Sequence, residues 1–324
     1  MSDFLRALII GCGSIAGGYQ KSVDDDEILT HAGAYTHHPA FDLHACIDPD
    51  EETRLAFMAR WNIDNGFSDL ASARRANLKF DVASIANPTH AHADTLNELL
   101  VHHEPRLVFC EKPITADANS ARDLVKQYET ANIPLAVNYV RRWDPSIVEL
   151  QNRFRGKSNQ VQSITAWYTK GLLNNASHIV DLLHFLVGSL EPVAVLNRRN
   201  GFSDADPTLD VQLRTSAGAP VYLIGADQRY FTIWEVEILT KDACIRLSDS
   251  GFQMRSRVAG PSRRYDGYTV LDREETVATE LARAMYFAAD NINQTILNGA
   301  ELSSSGRSAL ATHELCGRIL EMAE

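Results

Sequence analysis

Between residues 5 and 138 the chain alternates between two hydrophobic periods, and few architectures accommodate that alternation. Short apolar runs stand at LRALII (5–10), FDLHACI (41–47), FDVASIA (80–86), RLVFC (106–110) and PLAVN (134–138), with helically spaced segments between them. Strands that are apolar along most of their length are buried on both faces, as happens when helices cover a parallel sheet from either side. The expectation is a doubly wound parallel sheet. Two of its helices are placed by candidate caps: Thr89 ahead of Leu96, Leu99 and Leu100, and Thr115 ahead of Ala121, Leu124, Val125 and Tyr128. In such a sheet ligands bind outside the carboxyl ends of the strands, so those ends are where function is sought.

After about residue 140 the texture changes. One helical segment, roughly 172–187 and stopped by Gly188, precedes the strand-like runs PVAVLNRR, TLDVQLRT, APVYLIGA, IWEVEILT, ACIRLSD and GFQMRSR. Helical patterns near 277–298 and 306–323 close the chain. Consecutive strands joined by short turns argue for a mostly antiparallel sheet, hence an α+β domain. A chain of 324 residues is long enough for two cores, and the expected division is 1–139 and 140–324. The stretch from Gly17 to Thr30, with its acidic run Asp24 to Glu27, reads as a surface excursion.

A formal charge of −11 argues against binding a phosphate backbone, which requires a concentrated positive field. The N-terminus runs straight into a strand with no basic segment ahead of it, and no window approaches about 18 unbroken apolar residues. A cytoplasmic protein with no membrane or nucleic-acid partner is expected. Cys12, Cys46, Cys110, Cys244 and Cys316 form no C-x-x-C pair and read as small buried hydrophobes in a reducing compartment. No cluster of His, Cys or carboxylates has ligand spacing, so no metal is expected.

At the end of the first strand, Gly11, Gly13 and Ala16 fit G-x-G-x-x-A, with Ser14 and Ile15 inside the turn. Glycines there let backbone N–H groups approach a pyrophosphate at a helix N-terminus. The second strand ends in Asp48, where a carboxylate accepts hydrogen bonds from both hydroxyls of an adenosine ribose and repels a 2′-phosphate. The spacing exceeds the usual ~20 residues, which the acidic excursion explains. NAD is therefore expected over NADP. The third core strand ends in Asn87, Pro88 and Thr89, with His92 one turn on, facing either a cofactor cleft or solvent. The fourth ends in Glu111, Lys112 and Pro113. Proline forces Lys112 into an extended pose, across a trans or a cis bond, where an ammonium could reach a substrate oxygen beside a nicotinamide.

GCGSIA, NPTHAH, EKP, NYVRRWDP (138–145) and SHIVD, in that order, resemble the glucose–fructose oxidoreductase / inositol dehydrogenase / MocA (Gfo/Idh/MocA) family of nicotinamide-dependent oxidoreductases. The resemblance spans both halves of the chain. It implies an N-terminal Rossmann domain and a C-terminal domain built on a large open sheet whose exposed face commonly mediates homodimers or homotetramers. It also implies that Lys112, with Glu111 beside it, belongs to the cofactor and substrate site, that Lys112 helps activate the reacting hydroxyl, and that the substrate is a sugar, a cyclitol or a nucleotide-linked sugar.

On the helix near 172–187, Asn174, His178 and Asp181 fall at i, i+4 and i+7, a narrow polar stripe beside the apolar Ile179, Leu182, Leu183 and Leu186. His184 points elsewhere on the wheel and reads as packing. The family pattern D-x-G-x-H-x-x-D is broken here by Asn174 and Ala176. An amide cannot ionise, which leaves His178 as sole general base and Asn174 to orient substrate or Lys112 by hydrogen bonds. Tyr139, Arg141 and Arg142 are further candidate substrate contacts, an arginine fork suiting a carboxylate or phosphate, or else an interdomain salt bridge. The expected reaction is hydride transfer between NAD and a secondary alcohol or ketone. Its rivals are a non-catalytic NAD-binding sensor and an enzyme that uses bound NAD transiently for elimination or epimerisation.

Overall fold

The computed structural model describes residues 4–324; residues 1–3, ahead of the first strand, lie outside the described residues. The chain divides into two compact units, one of residues 1–143 with 282–310, the other of residues 144–281 with 311–324. It therefore crosses between units more than once, where the sequence suggested a single boundary after residue 139. The cause is a late helix whose apolar stripe belongs to the first core.

The first unit is a six-stranded parallel sheet of β1 (Leu5–Ile10), β2 (Phe41–Ile47), β3 (Asn65–Phe67), β4 (Val82–Ile85), β5 (Leu107–Cys110) and β6 (Leu135–Val137), in the order β3-β2-β1-β4-β5-β6. β3 has no apolar run and joins the sheet through backbone pairing at its edge, so periodicity could not reveal it. The helices are α1 (His31–His37), α2 (Glu51–Trp61), α3 (Leu70–Arg75), α4 (His92–His102), α5 (Ala118–Thr130) and, later in the chain, α8 (Ala284–Asn298). They cover both faces. One layer buries Leu5, Ile9, Phe109 and Tyr35 with Met285, Ala288 and Ile292 of α8; the other buries Leu8, Ile85 and Val108 with Leu96, Leu99 and Leu124.

Local chemistry sets the helix starts, though not always at the expected residue. Asp50 caps α2 by accepting from the Thr53 N–H at 2.7 Å. Thr89 does not cap α4: Thr89–Ala91 form one 3₁₀ turn after Pro88, and α4 begins at His92 without a side-chain cap. Thr115 yields its place to Asp117, which accepts from the Ser120 N–H at 2.9 Å, while Thr115 Oγ1 donates to the Asp117 carbonyl. The first helix after β1 is interrupted. Ser14–Gly18 make a single π-turn, residues 19–30 form the excursion, and α1 restarts with Thr30 accepting from the Gly33 N–H. The excursion is not wholly on the surface, since Gln20, Ile28 and Thr30 are buried, while Tyr19, Lys21, Ser22 and most of the acidic tip stay outside.

The second unit holds α6 (Pro145–Phe154), α7 (Ser177–Val187) and a nine-stranded mixed sheet: β7 (Val161–Tyr168), β8 (Leu190–Ser203), β9 (Asp206–Thr215), β10 (Pro220–Gly225), β11 (Trp234–Thr240), β12 (Ala243–Ser248), β13 (Gln253–Pro261), β14 (Thr269–Leu271) and β15 (Glu275–Val277). Its pairings are antiparallel except β7 with β10. The helix expected from 277 is thus replaced at its start by β15 and begins at Ala284. Alternation places Trp234, Val236 and Ile238 of β11 with Ile164, Ala166 and Tyr168 of β7 on one face, where Ile179, Leu182 and Leu183 of α7 cover them. Each such side chain contributes about 2 kcal/mol by leaving water. α9 (Gly306–Glu321) closes the chain, and Leu315, Cys316 and Ile319 add to that core.

Pairing of β10 with β9 ends at Leu223↔Val211, and beyond it the Tyr168 hydroxyl replaces the missing rung. It accepts from the Leu209 N–H and donates to the Leu209 carbonyl, both at 2.7 Å. Tyr168→Phe should orphan both backbone groups and cost about 1–3 kcal/mol, read as a lower midpoint at unchanged slope in urea unfolding.

Candidate functional site

A cavity of about 770 Å³ opens at the carboxyl ends of β1, β2 and β4, and Gly11, Gly13, Ser14, Ile15, Asp48, Asn87 and Pro88 all line it. It sits where the strand order reverses between β1 and β4, the expected place for a ligand in a doubly wound sheet. Gly11 has φ +91°, and a Cβ there would stand 2.5 Å from the Asn87 backbone nitrogen. Only glycine lets the two loops close to that distance. Asp48 is held by two backbone donors: Oδ2 accepts from the Cys12 N–H at 2.8 Å and Oδ1 from the Asp50 N–H at 2.9 Å. Each oxygen keeps lone-pair capacity for a further donor. Asn87 donates through Nδ2 to Thr95 Oγ1 at 3.0 Å, while its Oδ1 is buried without a partner among the described residues. An oriented carboxylate, an orphaned amide oxygen and a side-chain-free approach at Gly11 and Gly13 fit a dinucleotide with hydroxyl and amide donors.

Other residues expected at the cofactor turn out to brace the cavity from behind. His92 faces neither cleft nor solvent: its ring is buried, with Nδ1 2.9 Å from the Pro113 carbonyl and Nε2 2.9 Å from the Asn87 carbonyl. It spans the ends of β4 and β5. Thr89 also lies off the lining. Glu111 points inward, its Oε1 2.9 Å from His31 Nε2 and 2.7 Å from Asn138 Nδ2. Burial pushes the Glu111 carboxyl up, but the His31 hydrogen bond and charge, the Asn138 amide and the neighbouring Lys112 together hold it below its ordinary value. Lys112 follows at once, half-buried, with a cis bond to Pro113.

In the second unit, Asn174 does not begin an α-helical stripe. Leu172–Ala176 form a π-turn, closed by the Ala176 N–H to the Gly171 carbonyl at 3.2 Å, and α7 continues from it. Asp206 holds this turn, accepting from the N–H groups of Leu173 at 2.7 Å and Asn174 at 2.9 Å. Gly171 permits it, since a Cβ there would lie 2.3 Å from that carboxylate. The Asn174 amide donates to the Lys170 carbonyl at 3.2 Å. His178 is half-buried at the start of α7. Asp181, expected at substrate, is only 2% exposed and accepts from Thr312 of α9 at 3.3 Å. His184 meets the same Thr312 at 3.4 Å, so the two share a partner where the helical wheel had set them apart. Tyr139 and Arg142, also expected at substrate, are buried in the first unit, with Arg142 donating to the Ser303 carbonyl at 3.3 Å; Arg141 lies in the same 3₁₀ turn, which spans Val140–Trp143.

Residues 5–139 match the family model of the Gfo/Idh/MocA oxidoreductases, described as an oxidoreductase family with an NAD-binding Rossmann fold. That match takes in less than half of the chain and lies within the first unit. The chain is 24% identical to the inositol 2-dehydrogenase of Rhizobium meliloti, over 74% of this chain and 77% of that one. It is 23% identical to the D-apiose dehydrogenase of Rhizobium rhizogenes, over 98% and 95%. The crystal structure of the WlbA dehydrogenase from Bordetella pertussis with NADH and UDP-GlcNAcA superposes with a TM-score of 0.73 at 20% identity, covering 99% of this chain and 96% of that one, which establishes the shared fold.

Three residues of the site were not legible in the sequence. Tyr19 lines the cavity just past the glycine turn, but it sits in an excursion with no periodicity to place it. His31 is fully buried and meets Glu111, a partner 80 residues away. Asp206 sits on β9, far in sequence from the turn it holds. Gly11→Ala should weaken NAD+ binding at least ten-fold in a fluorescence titration, because the side chain would push the Asn87 loop into the cavity and add about 1–3 kcal/mol of backbone strain. Glu111, depressed in the folded state, contributes stability that is present above its unfolded value and lost as pH falls through the folded one. The urea-unfolding advantage of the wild type over Glu111→Gln should therefore be full near neutrality and shrink as pH drops below 4.5.

Proposed function

We propose that the protein is an NAD-dependent dehydrogenase acting on a secondary alcohol of a sugar, cyclitol or nucleotide-linked sugar. The observation that carries this reading is the cavity at the switch point, with its glycine turn, its oriented Asp48 and the orphaned Asn87 Oδ1. Asp48 with Asp69 and Glu98 gives the lining three carboxylates and no lysine or arginine, which favours two ribose hydroxyls over a 2′-phosphate. Arg54, the cation nearest that preference, donates to the Asp48 carbonyl at 2.6 Å. The relatives named for inositol and D-apiose, and the dehydrogenase crystallised with a nucleotide sugar, support a polyhydroxylated substrate.

NAD, when bound, supplies the hydride acceptor at its nicotinamide. In this reading Ser14, Ile15, Asn87 and Pro88 orient it, and Lys112 and His178 act on the substrate. His178 removes the hydroxyl proton as the C–H bond breaks, and the Lys112 ammonium stabilises the developing alkoxide. Asn174, in place of the family aspartate, orients these groups through its amide and makes His178 the single base. Tyr139, Arg141 and Arg142 shape the approach to the site. The open face of the nine-stranded sheet is the surface through which copies of the chain would pair.

The test is NADH formation from NAD+ with myo-inositol, D-apiose and UDP-GlcNAcA. Lys112→Ala and His178→Ala should each lower kcat by roughly 10²-fold or more with NAD+ affinity nearly intact, and NADP+ should be the poorer cofactor until Asp48 is replaced. Wild-type turnover in either variant, or reduction of NADP+ as fast as NAD+, contradicts the assignment.

A further inference from the structure

The dinucleotide cavity does not account for a line of buried polar side chains behind it. Tyr35 Oη lies 2.7 Å from Ser84 Oγ, Ser84 Oγ 3.1 Å from His31 Nδ1, His31 Nε2 2.9 Å from Glu111 Oε1, and Asn138 Nδ2 donates to that same oxygen at 2.7 Å. Tyr35, Ser84 and His31 are at most 1% exposed and Asn138 is 5% exposed. Polar groups taken this far from water cost free energy unless every one is paired, and apolar side chains of the same shape would fill the space at no such cost. Glu111 Oε1 accepts from both Asn138 Nδ2 and His31 Nε2, so the line ends on a carboxylate oxygen held by two donors. The line joins α1, β4, the end of β5 and the residue after β6, and it terminates at the residue before Lys112. Glu111 directly precedes Lys112 in the chain, so a carboxylate held still by two donors is a fixed charge at the lysine turn.

We propose that His31 and Glu111 are positioning residues for Lys112: the His31–Glu111 hydrogen bond fixes a carboxylate at the lysine's own turn, and that carboxylate sets where the ammonium stands. The inference rests on the catalytic reading of Lys112 given above. It separates two tasks at the strand ends, with the glycine turn, Asp48 and Asn87 holding cofactor while the buried line governs the reacting group. It also explains why α1 is anchored again after the helix is interrupted, since His31 is its first residue.

The test uses the full chain with NAD+ and two readouts. The first is labelling of Lys112 by acetic anhydride at neutral pH, followed by peptide mass spectrometry with Lys126 and Lys157 as internal references. Glu111→Gln keeps the shape and removes the charge, and should be labelled at Lys112 about three-fold faster or more. His31→Gln, whose amide can still donate, should stay close to wild type, and His31→Phe should follow Glu111→Gln. The second readout is turnover of whichever of myo-inositol, D-apiose and UDP-GlcNAcA is oxidised fastest. There Glu111→Gln should lower kcat by roughly ten-fold or more with NAD+ affinity unchanged, and should add nothing on a Lys112→Ala background. Unchanged Lys112 labelling in Glu111→Gln overturns the proposal whatever turnover does. So does a kcat loss that merely tracks a lower Tm. Wild-type turnover in Lys112→Ala instead removes the catalytic reading, while labelling still reports on the pair; should His31→Phe fail to fold, Glu111→Gln and His31→Gln decide the matter.

Discussion

A carboxylate largely withdrawn from water where parallel strands end is the constraint on which the candidate site depends. Glu111 cannot be left alone in that environment, so the fold must bring it donors, and the two it brings come from opposite directions in sequence: His31 at the start of α1 and Asn138 just past β6. Meeting that need indexes α1 and the ends of β5 and β6 to one another. His92 does the same for β4 and β5 by lying between the Asn87 and Pro113 carbonyls. Gly11 completes the set by letting the turn after β1 press on the Asn87 backbone. A cavity whose walls are braced in this way can hold a cofactor in one pose, and positioning of that kind is a large part of what a hydride-transfer enzyme contributes.

Much of this was legible along the chain. The alternation of periods specified the parallel sheet, and the residues that line the cavity, Gly11, Gly13, Ser14, Ile15, Asp48, Asn87 and Pro88, are those that a strand-end search selects, because strand ends are marked locally by glycine, proline and acidic residues. What the sequence could not reveal was direction. His92 and Glu111 stand at strand ends yet turn inward, and nothing within a helical turn of either announces the carbonyls, imidazole and amide that hold them. Asp181 and His184 meet the same Thr312, a residue of the last helix, so the helical wheel alone could not show that they share it. Asn174 was misplaced for a different reason. Five residues of π-turn shift the angular register, and the turn exists because Asp206 captures two of its N–H groups.

The interrupted first helix shows how local signals and tertiary demands are reconciled. A dinucleotide turn ordinarily feeds a continuous helix, but here one π-turn serves the cavity before residues 19–30 depart. The departure is closed at its root: Thr30 Oγ1 donates to Gln20 Oε1 at 3.3 Å, and the Ile28 N–H donates to the Ala282 carbonyl at 2.7 Å. α1 then resumes with His31 already committed to Glu111. Tyr19, at the junction, is the excursion's contribution to the cavity lining. The match to the family model covers residues 5–139, which include the whole excursion.

The central proposal is that an ammonium and an imidazole, those of Lys112 and His178, act on one hydroxyl beside a bound nicotinamide. The most direct measurement is a crystal structure of the complex with NAD+ and an oxidisable polyol. The account predicts one ligand oxygen within about 3 Å of both Lys112 Nζ and a His178 ring nitrogen, with its carbon about 3–3.5 Å from the nicotinamide C4. Density that leaves either side chain beyond about 6 Å from that oxygen, or turned from the ring, would contradict it.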